Sequence, residues 1–254
     1  SSERDSHRLT QIEPLRVERC VRGAEGWRLV DKLDVVVEVA GDGGAEFISV
    51  KPTTIAEDMS TGEQDVPAIS PMCVAAVRAA VRTWRYSPFE RDSGPIAVRL
   101  TETIAVYPPE RRLAQRVSFP QVRNVETVRI TLERGACLGP CPVYRIELRG
   151  DGTVIYNGQG FVLVSGEHRY TVDAAQVTQL LSEFRAAEFF SLLDRYEAGI
   201  TDLSGTKVTI EINGRRKSVY DYVGLAVGMP TSVWRLERSI ERVADSERLV
   251  RGNS

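Results

Sequence analysis

The fold of the first half of the chain is decided by residues 70–88, Ser-Pro-Met-Cys-Val-Ala-Ala-Val-Arg-Ala-Ala-Val-Arg-Thr-Trp-Arg-Tyr-Ser-Pro. Serine is a good helix N-cap, and a proline at the first helical position favours a helix start there. Pro88 ends the segment. One apolar stripe recurs at helical spacing, made of Val74, Val77, Val81 and Trp84. The stretch therefore predicts a helix with one buried face.

Strand patterns flank this helix on both sides. Asp34 to Val39 and Ala45 to Val50 predict a hairpin around Gly41-Asp42-Gly43-Gly44. A phosphate-binding loop would need a helix directly after those glycines, and a strand pattern follows instead. After Gly94-Pro95, apolar residues alternate from Ile96 to Val106 and predict one long strand. The order is β-β-α-β.

Composition favours a chain of two domains without a membrane span. The 254 residues exceed the usual size of one domain, and 42% are hydrophobic, which suffices for two cores. The net charge of -2 gives no overall attraction to nucleic acid. No stretch approaches the roughly 20 apolar residues that cross a bilayer. Residues 1–16 are polar, so we expect a loose arm, in a chain whose export signal has been removed.

The second half of the chain is predicted to be mainly antiparallel sheet. Residues 108–124 show little periodicity and predict a linker between domains at 17–107 and 125–250. The predicted strands are Thr127 to Glu133, Val143 to Leu148, Thr153 to Tyr156, Val208 to Ile212 and Lys217 to Tyr220, with hairpin turns at Asp151-Gly152 and Asn213-Gly214. Helices are predicted after Asp173 and Pro230. The expected class is α+β, with two helices covering one face of this sheet.

The first domain, about residues 16–107, resembles the C-terminal domain of TonB, the periplasmic protein that engages outer-membrane receptors. The resemblance rests on the β-β-α-β order and on Ala75 to Pro88, where a helix ends in a Trp-Arg-aromatic-Xaa-Pro corner. Cys20 and Cys73 also match a TonB-like variant with one cysteine before the first strand and one at the helix start. The resemblance implies that this pair ties the helix to the sheet.

The second domain, about residues 125–250, is similar to a widespread uncharacterised bacterial domain. Members of that family open with Cys-Xaa-Gly-Xaa-Cys-Pro-Xaa-Tyr, here Cys137 to Tyr144. Further matches are Asp151-Gly152, Tyr156-Asn157-Gly158, Thr201-Asp202 and Asp221-Tyr222. The resemblance implies a fold and boundaries but no reaction.

Four cysteines allow three disulfide pairings, and their spacing favours Cys137 with Cys141 and Cys20 with Cys73. Structural disulfides fit an oxidising compartment, so we expect a periplasmic or secreted protein. The alternative for Cys137 and Cys141 is thiol-disulfide exchange, which needs an activated thiolate at a helix N-terminus or beside a cation. Pro142 and a strand follow instead, which favours a structural role.

The sequence lacks the residues that several classes of enzyme need for catalysis. His7 and His168 are the only histidines, so a Ser-His-acid hydrolase lacks its base and zinc lacks a ligand set; we expect neither metal nor cofactor. Asp202 and Asp221, with Tyr196 and Tyr222 nearby in sequence, could form a polar pocket. Carboxylates near turns more often cap backbone donors, and tyrosines in strands more often pack.

These patterns predict a non-catalytic binding or scaffold protein of the bacterial envelope, with redox activity at Cys137 and Cys141 as the alternative. The strand from Ile96 to Val106 would take a protein or peptide partner by β-augmentation. Its outward positions are Ala97, Arg99, Thr101 and Thr103. A structural or inhibitor-like module that occupies another protein's cleft fits the sequence equally well, and the oligomeric state stays open.

Overall fold

The computed structural model describes residues 15–17, 20, 31–53, 69–91 and 93–252. The chain divides into two compact units between Pro109 and Glu110. Each unit combines helices with sheet, which confirms the predicted α+β class. Most of the predicted loose arm, residues 1–14 with His7, lies outside the described residues.

The described part of the first unit holds a four-stranded sheet with one helix. Its elements are β1 (Leu15–Arg16), β2 (Asp31–Val39), β3 (Ala45–Pro52), α1 (Pro71–Val81), β4 (Phe89–Arg91), β5 (Gly94–Ile96) and β6 (Val98–Tyr107). The strand order in the sheet is β1-β6-β2-β3, and β4 pairs with β5 in a separate ribbon. The order β2-β3-α1-β6 is the predicted β-β-α-β.

Helix α1 begins where the sequence predicts. The Ser70 hydroxyl accepts a hydrogen bond from the Cys73 amide at 3.2 Å, and Pro71 follows as the first helical residue. The buried face of α1 meets alternate residues of β2 in one apolar cluster. Fully buried members of that cluster include Leu33, Val35, Val37, Val39, Val77 and Val81. The buried residues thus recur at helical spacing in α1 and at every second position in β2, and both sets pack in the same core.

The predicted long strand from Ile96 to Val106 is instead divided at Ala97. Ile96 ends β5 and pairs with Phe89 of β4, whereas Val98 begins β6 and pairs with Val39 of β2. The chain reverses between Arg91 and Gly94, so Gly94 to Ile96 pair with β4, and the pairing partner changes where the sequence pattern stays continuous. Ala97 lies between the two strands and is exposed.

The second unit holds a seven-stranded sheet. Its elements are β7 (Arg129–Arg134), β8 (Val143–Arg149), β9 (Thr153–Gly160), β10 (Gly166–Thr171), α2 (Ala174–Ala186), β11 (Arg195–Glu197), β12 (Thr206–Ile212), β13 (Arg215–Tyr222), α3 (Thr231–Val243) and α4 (Glu247–Val250). The strand order is β10-β9-β8-β7-β12-β13-β11, and the pairs are antiparallel except β11 with β13. Both predicted hairpins, β8-β9 and β12-β13, are present.

Helices α2 and α3 cover one face of this sheet, as predicted. Asp173 caps α2 by accepting from the Ala175 amide at 2.8 Å. The apolar stripes of both helices belong to the same core as alternate residues of the central strands. Buried members include Val177, Leu180, Phe184, Val233, Leu236 and Ile240 from the helices and Ile130, Ile146 and Val208 from the sheet.

Residues 110–124, predicted as part of a linker, are bound to the second unit and are called the strap below. The Arg111 amide donates to the Gly228 carbonyl at 2.8 Å, and the Leu113 amide donates to the Ser191 carbonyl at 2.9 Å. The Phe119 ring meets the Phe190 ring edge to face, with centroids 5.5 Å apart. The strap follows the unit's surface without forming a helix or strand, which explains why its sequence shows no period.

Candidate functional site

Both predicted cysteine pairs form disulfides. The Cα atoms are 5.2 Å apart in Cys20–Cys73 and 5.8 Å apart in Cys137–Cys141. No cysteine of the chain is left free. Two disulfides fit an oxidising, non-cytoplasmic compartment.

The Cys20–Cys73 bridge lies in the core of the first unit. Both cysteines are fully buried. The Cys20 carbonyl also accepts a hydrogen bond from the Ser70 amide at 2.8 Å, so the cap residue of α1 and its first turn are both held to Cys20. The bridge thus fixes the start of α1 to the segment before β2.

The Cys137–Cys141 bridge closes the exposed loop between β7 and β8. The Leu138 amide donates to the Asp202 carbonyl at 3.0 Å, and the Ser204 hydroxyl donates to the Gly135 carbonyl at 2.6 Å. These bonds tie the loop to residues 202–205. Strands flank the loop on both sides, and no helix begins at either cysteine. These surroundings suit a structural bridge rather than an activated thiolate.

A row of polar side chains crosses the helix-covered face of the second sheet. Strand register places Asp221 beside Thr206, Thr206 beside Arg134, and Arg134 beside Tyr144. Helix α3 carries Glu237 and Glu241, one turn apart, and their carboxyl groups contact this row. We call these six residues the polar row. It lies at the end of the sheet that also carries the disulfide loop.

Arg134 and Glu241 hold one side of the polar row together. Arg134 Nε donates to Glu241 Oε1 at 3.0 Å, and the Tyr144 hydroxyl donates to the same oxygen at 2.6 Å. Arg134 also donates to the Thr206 hydroxyl at 2.5 Å. Burial and the nearby Glu241 carboxylate raise the pKa of Tyr144. The phenol therefore stays protonated and serves as a donor.

Glu237 and Asp221 form the other side as a buried carboxyl pair. Glu237 is 2% exposed, and its Oε1 has no hydrogen-bond partner among the described residues. Asp221 Oδ1 accepts from the Gly224 amide at 2.6 Å. Burial and the adjacent Asp221 charge raise the pKa of Glu237 well above its ordinary value; burial raises the pKa of Asp221 as well. Two buried carboxyls beside each other oppose each other's ionisation, while Arg134, 3.5 Å from Glu237, acts in the opposite direction.

The predicted pocket of Tyr196, Asp202, Asp221 and Tyr222 is not formed. Tyr196 pairs with Asp221 across β11 and β13, but its hydroxyl donates to the strap carbonyl of Arg111 at 2.5 Å. Tyr222 follows Asp221 in β13 and so lies on the opposite face, where its hydroxyl accepts from the Leu203 amide at 3.0 Å. Asp202 is exposed. Strand alternation alone would have separated Asp221 from Tyr222.

Strand β6 carries the predicted partner-binding positions. Arg99, Thr101 and Thr103 are exposed on its outer face, while Ala97 precedes the strand. Arg99 pairs with Glu38 at 3.3 Å, and the Thr103 hydroxyl donates to Asp34 at 2.8 Å.

The two edges of β6 differ. One edge pairs with β2 from Val98 to Val106. On the other edge, the described strand β1 pairs only with Val106 and Tyr107. Within the described part of the chain, no other strand pairs with β6 between Val98 and Ala105.

The polar row and the disulfide loop both lie within a range of residues that matches a family model. Residues 128–244 match the family described as Domain of unknown function (DUF6438). The matched range runs from the residue before β7 to the residue after α3, so it omits the strap and α4. This agrees with the predicted uncharacterised domain, while the TonB resemblance of the first unit stays a prediction. No curated protein matches the chain.

Two further properties concern the described residues alone. None of their helices is both long and apolar enough to cross a membrane. They also contain no group of three or more histidine, cysteine, aspartate or glutamate side chains that could hold a metal ion.

Proposed function

We propose that the protein is a non-catalytic binding or scaffold protein of the bacterial envelope, periplasmic or secreted, that captures a protein or peptide partner by strand addition to β6. The observation that supports this is the edge of β6 from Val98 to Ala105, along which the described residues place no strand. An edge strand offers unpaired backbone donors and acceptors to another chain.

Side-chain contacts on both faces of the sheet connect strand β6 to its neighbours. Arg99 and Thr103 are bonded to Glu38 and Asp34 of β2 on the outer face. From the opposite face, the Tyr86 hydroxyl donates to Glu102 at 3.2 Å. Binding to a strand already held in place costs less conformational entropy than ordering a loop.

The corner that resembles TonB is built into the same sheet. The Tyr86 amide donates to the Gly43 carbonyl at 2.9 Å, and Arg85 bridges to Gly44. Trp84 and Tyr86 are buried. The corner thus fixes the helix end to the β2-β3 turn. The TonB resemblance supplies the class of partner, a segment of another envelope protein.

Paired proline variants test strand addition. In a strand, the backbone amides of successive residues point to opposite edges. Of the two variants Leu100→Pro and Thr101→Pro, one therefore removes an amide that donates to β2. The other removes an amide on the edge of β6 that faces away from β2. A peptide selected on the full chain from a displayed library serves as the probe, with affinity measured by calorimetry. We expect the edge-facing variant to stay folded and to lose binding at least about tenfold.

Glu167→Pro on β10, an edge strand of the second unit, is the matched control and should leave affinity unchanged. The proposal is wrong if both β6 variants, shown to be folded by circular dichroism, bind the peptide as well as the parent protein does.

Thiol-disulfide exchange at Cys137 and Cys141 is the alternative, and the exposure of their loop favours it, since Leu138 is 81% exposed. An insulin-reduction assay with Cys141→Ser as control separates the two functions. A binding protein gives no activity above background, whereas a redox protein gives turnover that the variant abolishes.

A further inference from the structure

The open face of the second sheet, opposite α2 and α3, carries two adjoining hollows of about 650 and 480 Å³. Lys207 and Tyr220, which are cross-strand neighbours, line both. One hollow extends to Arg195 and Arg216, and the other extends to Arg145 and Leu203 near the disulfide loop. We call these six residues the basic groove.

The charge of this surface is opposite to that of the whole chain. The net charge of the chain is -2. Six basic and two acidic residues line the hollows, although Arg134 is held on the helix-covered face by Glu237 and Glu241, and Lys217 pairs with Asp194. Arg145 and Arg195 are paired with glutamates. Lys207 and Arg216 form no ion pair among the described residues, although Glu133 and Glu211 are their cross-strand neighbours. These two cations are available to an anionic ligand.

Tyr220 forms a fixed platform between the cations. The Arg195 guanidinium lies 4.6 Å from the centroid of its ring, and the Tyr222 ring lies parallel to it at 6.5 Å. Its phenol rests on Gly205, where a methyl group would come within 2.3 Å of the hydroxyl oxygen. The middle of the groove is therefore held in shape before any ligand arrives.

One end of the basic groove is apolar. Leu203 is 46% exposed and Leu138 is 81% exposed. The backbone bond from Leu138 to Asp202 brings the two leucines to neighbouring positions. Exposed leucines beside a charged groove favour a ligand that brings an apolar side chain.

We infer that the basic groove binds an acidic peptide segment of a partner protein. Carboxylates of that segment face Lys207 and Arg216, and an apolar side chain covers Leu203 and Leu138. A polyanionic glycan satisfies the cations but not the leucines, so the groove favours a peptide. This inference concerns the second unit and does not depend on strand addition to β6.

Fluorescence anisotropy with the full chain tests the inference. The probe is a fluorescein-labelled peptide of glutamates with two leucines, and a second probe has serine in place of leucine. We expect binding that weakens with salt, a loss of about tenfold in Lys207→Gln and a similar loss in Arg216→Gln. Lys51→Gln, an exposed lysine of the first unit, should change affinity less than about twofold.

Leu203→Ser separates peptide from plain anion binding. We expect it to weaken the leucine-containing probe and to leave the serine probe unchanged. Equal affinity for both probes, together with displacement by a sulfated polysaccharide, would show a general polyanion site and overturn the inference. Absence of binding, or equal binding of a probe with lysine in place of glutamate, would overturn it too.

Discussion

At the scale of single residues, Glu237 is the most unusual group in the second unit. Its carboxyl lies under α3 against Asp221, and the single cation of the polar row, Arg134, is shared with Glu241. A buried carboxyl with a raised pKa is a cost to stability near neutral pH because the folded state must keep a proton that the unfolded chain releases.

The pH dependence of stability follows from this raised pKa. In the unfolded chain Glu237 releases its proton near its ordinary pKa of 4.5, whereas the folded carboxyl keeps it to higher pH. The contribution of Glu237 therefore lowers the free energy of unfolding as pH rises above that value. We expect Glu237→Gln to match the parent at pH 4 and to be more stable at pH 7 by about 1 kcal/mol or more.

Urea titration read by hydrogen exchange of residues 231–243 measures this difference within α3. The contrasting variant is Glu241→Gln, one turn along, which weakens the shared acceptor of Arg134 and Tyr144 and should destabilise the unit. An equal response of the two variants at pH 7 would contradict the assignment of the buried proton to Glu237.

Sequence patterns singled out Asp221 as a candidate site residue, but they predicted neither Glu237 nor the contacts that bring the two together. The apolar residues of α3 mark a buried face, and Glu237 lies directly after Leu236 of that face. Its burial depends on where α3 crosses the sheet. The row of Arg134, Thr206 and Asp221 depends on the register of three strands, of which β7 is distant in sequence from the hairpin β12-β13. The spacing of residues along the chain predicts neither the burial of Glu237 nor the alignment of this row.

At the scale of elements, helix starts and tight turns were predictable because their causes are local. Ser70 and Asp173 cap their helices through their own side chains. Asn213 and Gly214 adopt the positive φ values, 49° and 77°, that a tight hairpin turn requires. The division of the predicted strand at Ala97 was not predictable, since it reflects competition between β4 and β2 for neighbouring segments.

Helix α1 gives a prediction at this scale. Replacing Cys20 and Cys73 by serine should lower the free energy of unfolding of the first unit by about 4 kcal/mol, because the bridge closes a long loop. Replacing Cys137 and Cys141 should cost the second unit about 2 kcal/mol, because that loop is short. Thermal unfolding of the two double variants checks the order, and a larger loss from the short bridge would contradict the loop-length argument.

At the scale of the whole molecule, the boundary between the units determines which fragments fold. The predicted boundary near residue 125 would cut off the strap, whereas the structure places Glu110 at the start of the second unit. The strap leaves Val117, Phe119 and Val122 packed against the second core. The sequence showed these residues but not their contacts.

Two fragments test this boundary. We expect residues 110–254 to fold alone and to be more stable than residues 125–254 by about 3 kcal/mol, from the apolar area that the strap buries. Phe119→Ala in the longer fragment should lose about 2 kcal/mol of that difference through its contact with Phe190. Equal urea midpoints for the two fragments would show that the strap contributes nothing.

The Cys20–Cys73 bridge also has a mechanical consequence. Under tension applied through the chain ends, force passes from Cys20 directly to α1, and the residues between are bypassed. The bridged cysteines are 53 residues apart in sequence, so about 180 Å of contour length stays hidden until the bridge is reduced. Both β2 and β3 lie within that bypassed segment. Force applied to the chain ends therefore reaches β6 through the disulfide. Its neighbour β2 cannot be extended by that force while the disulfide is intact.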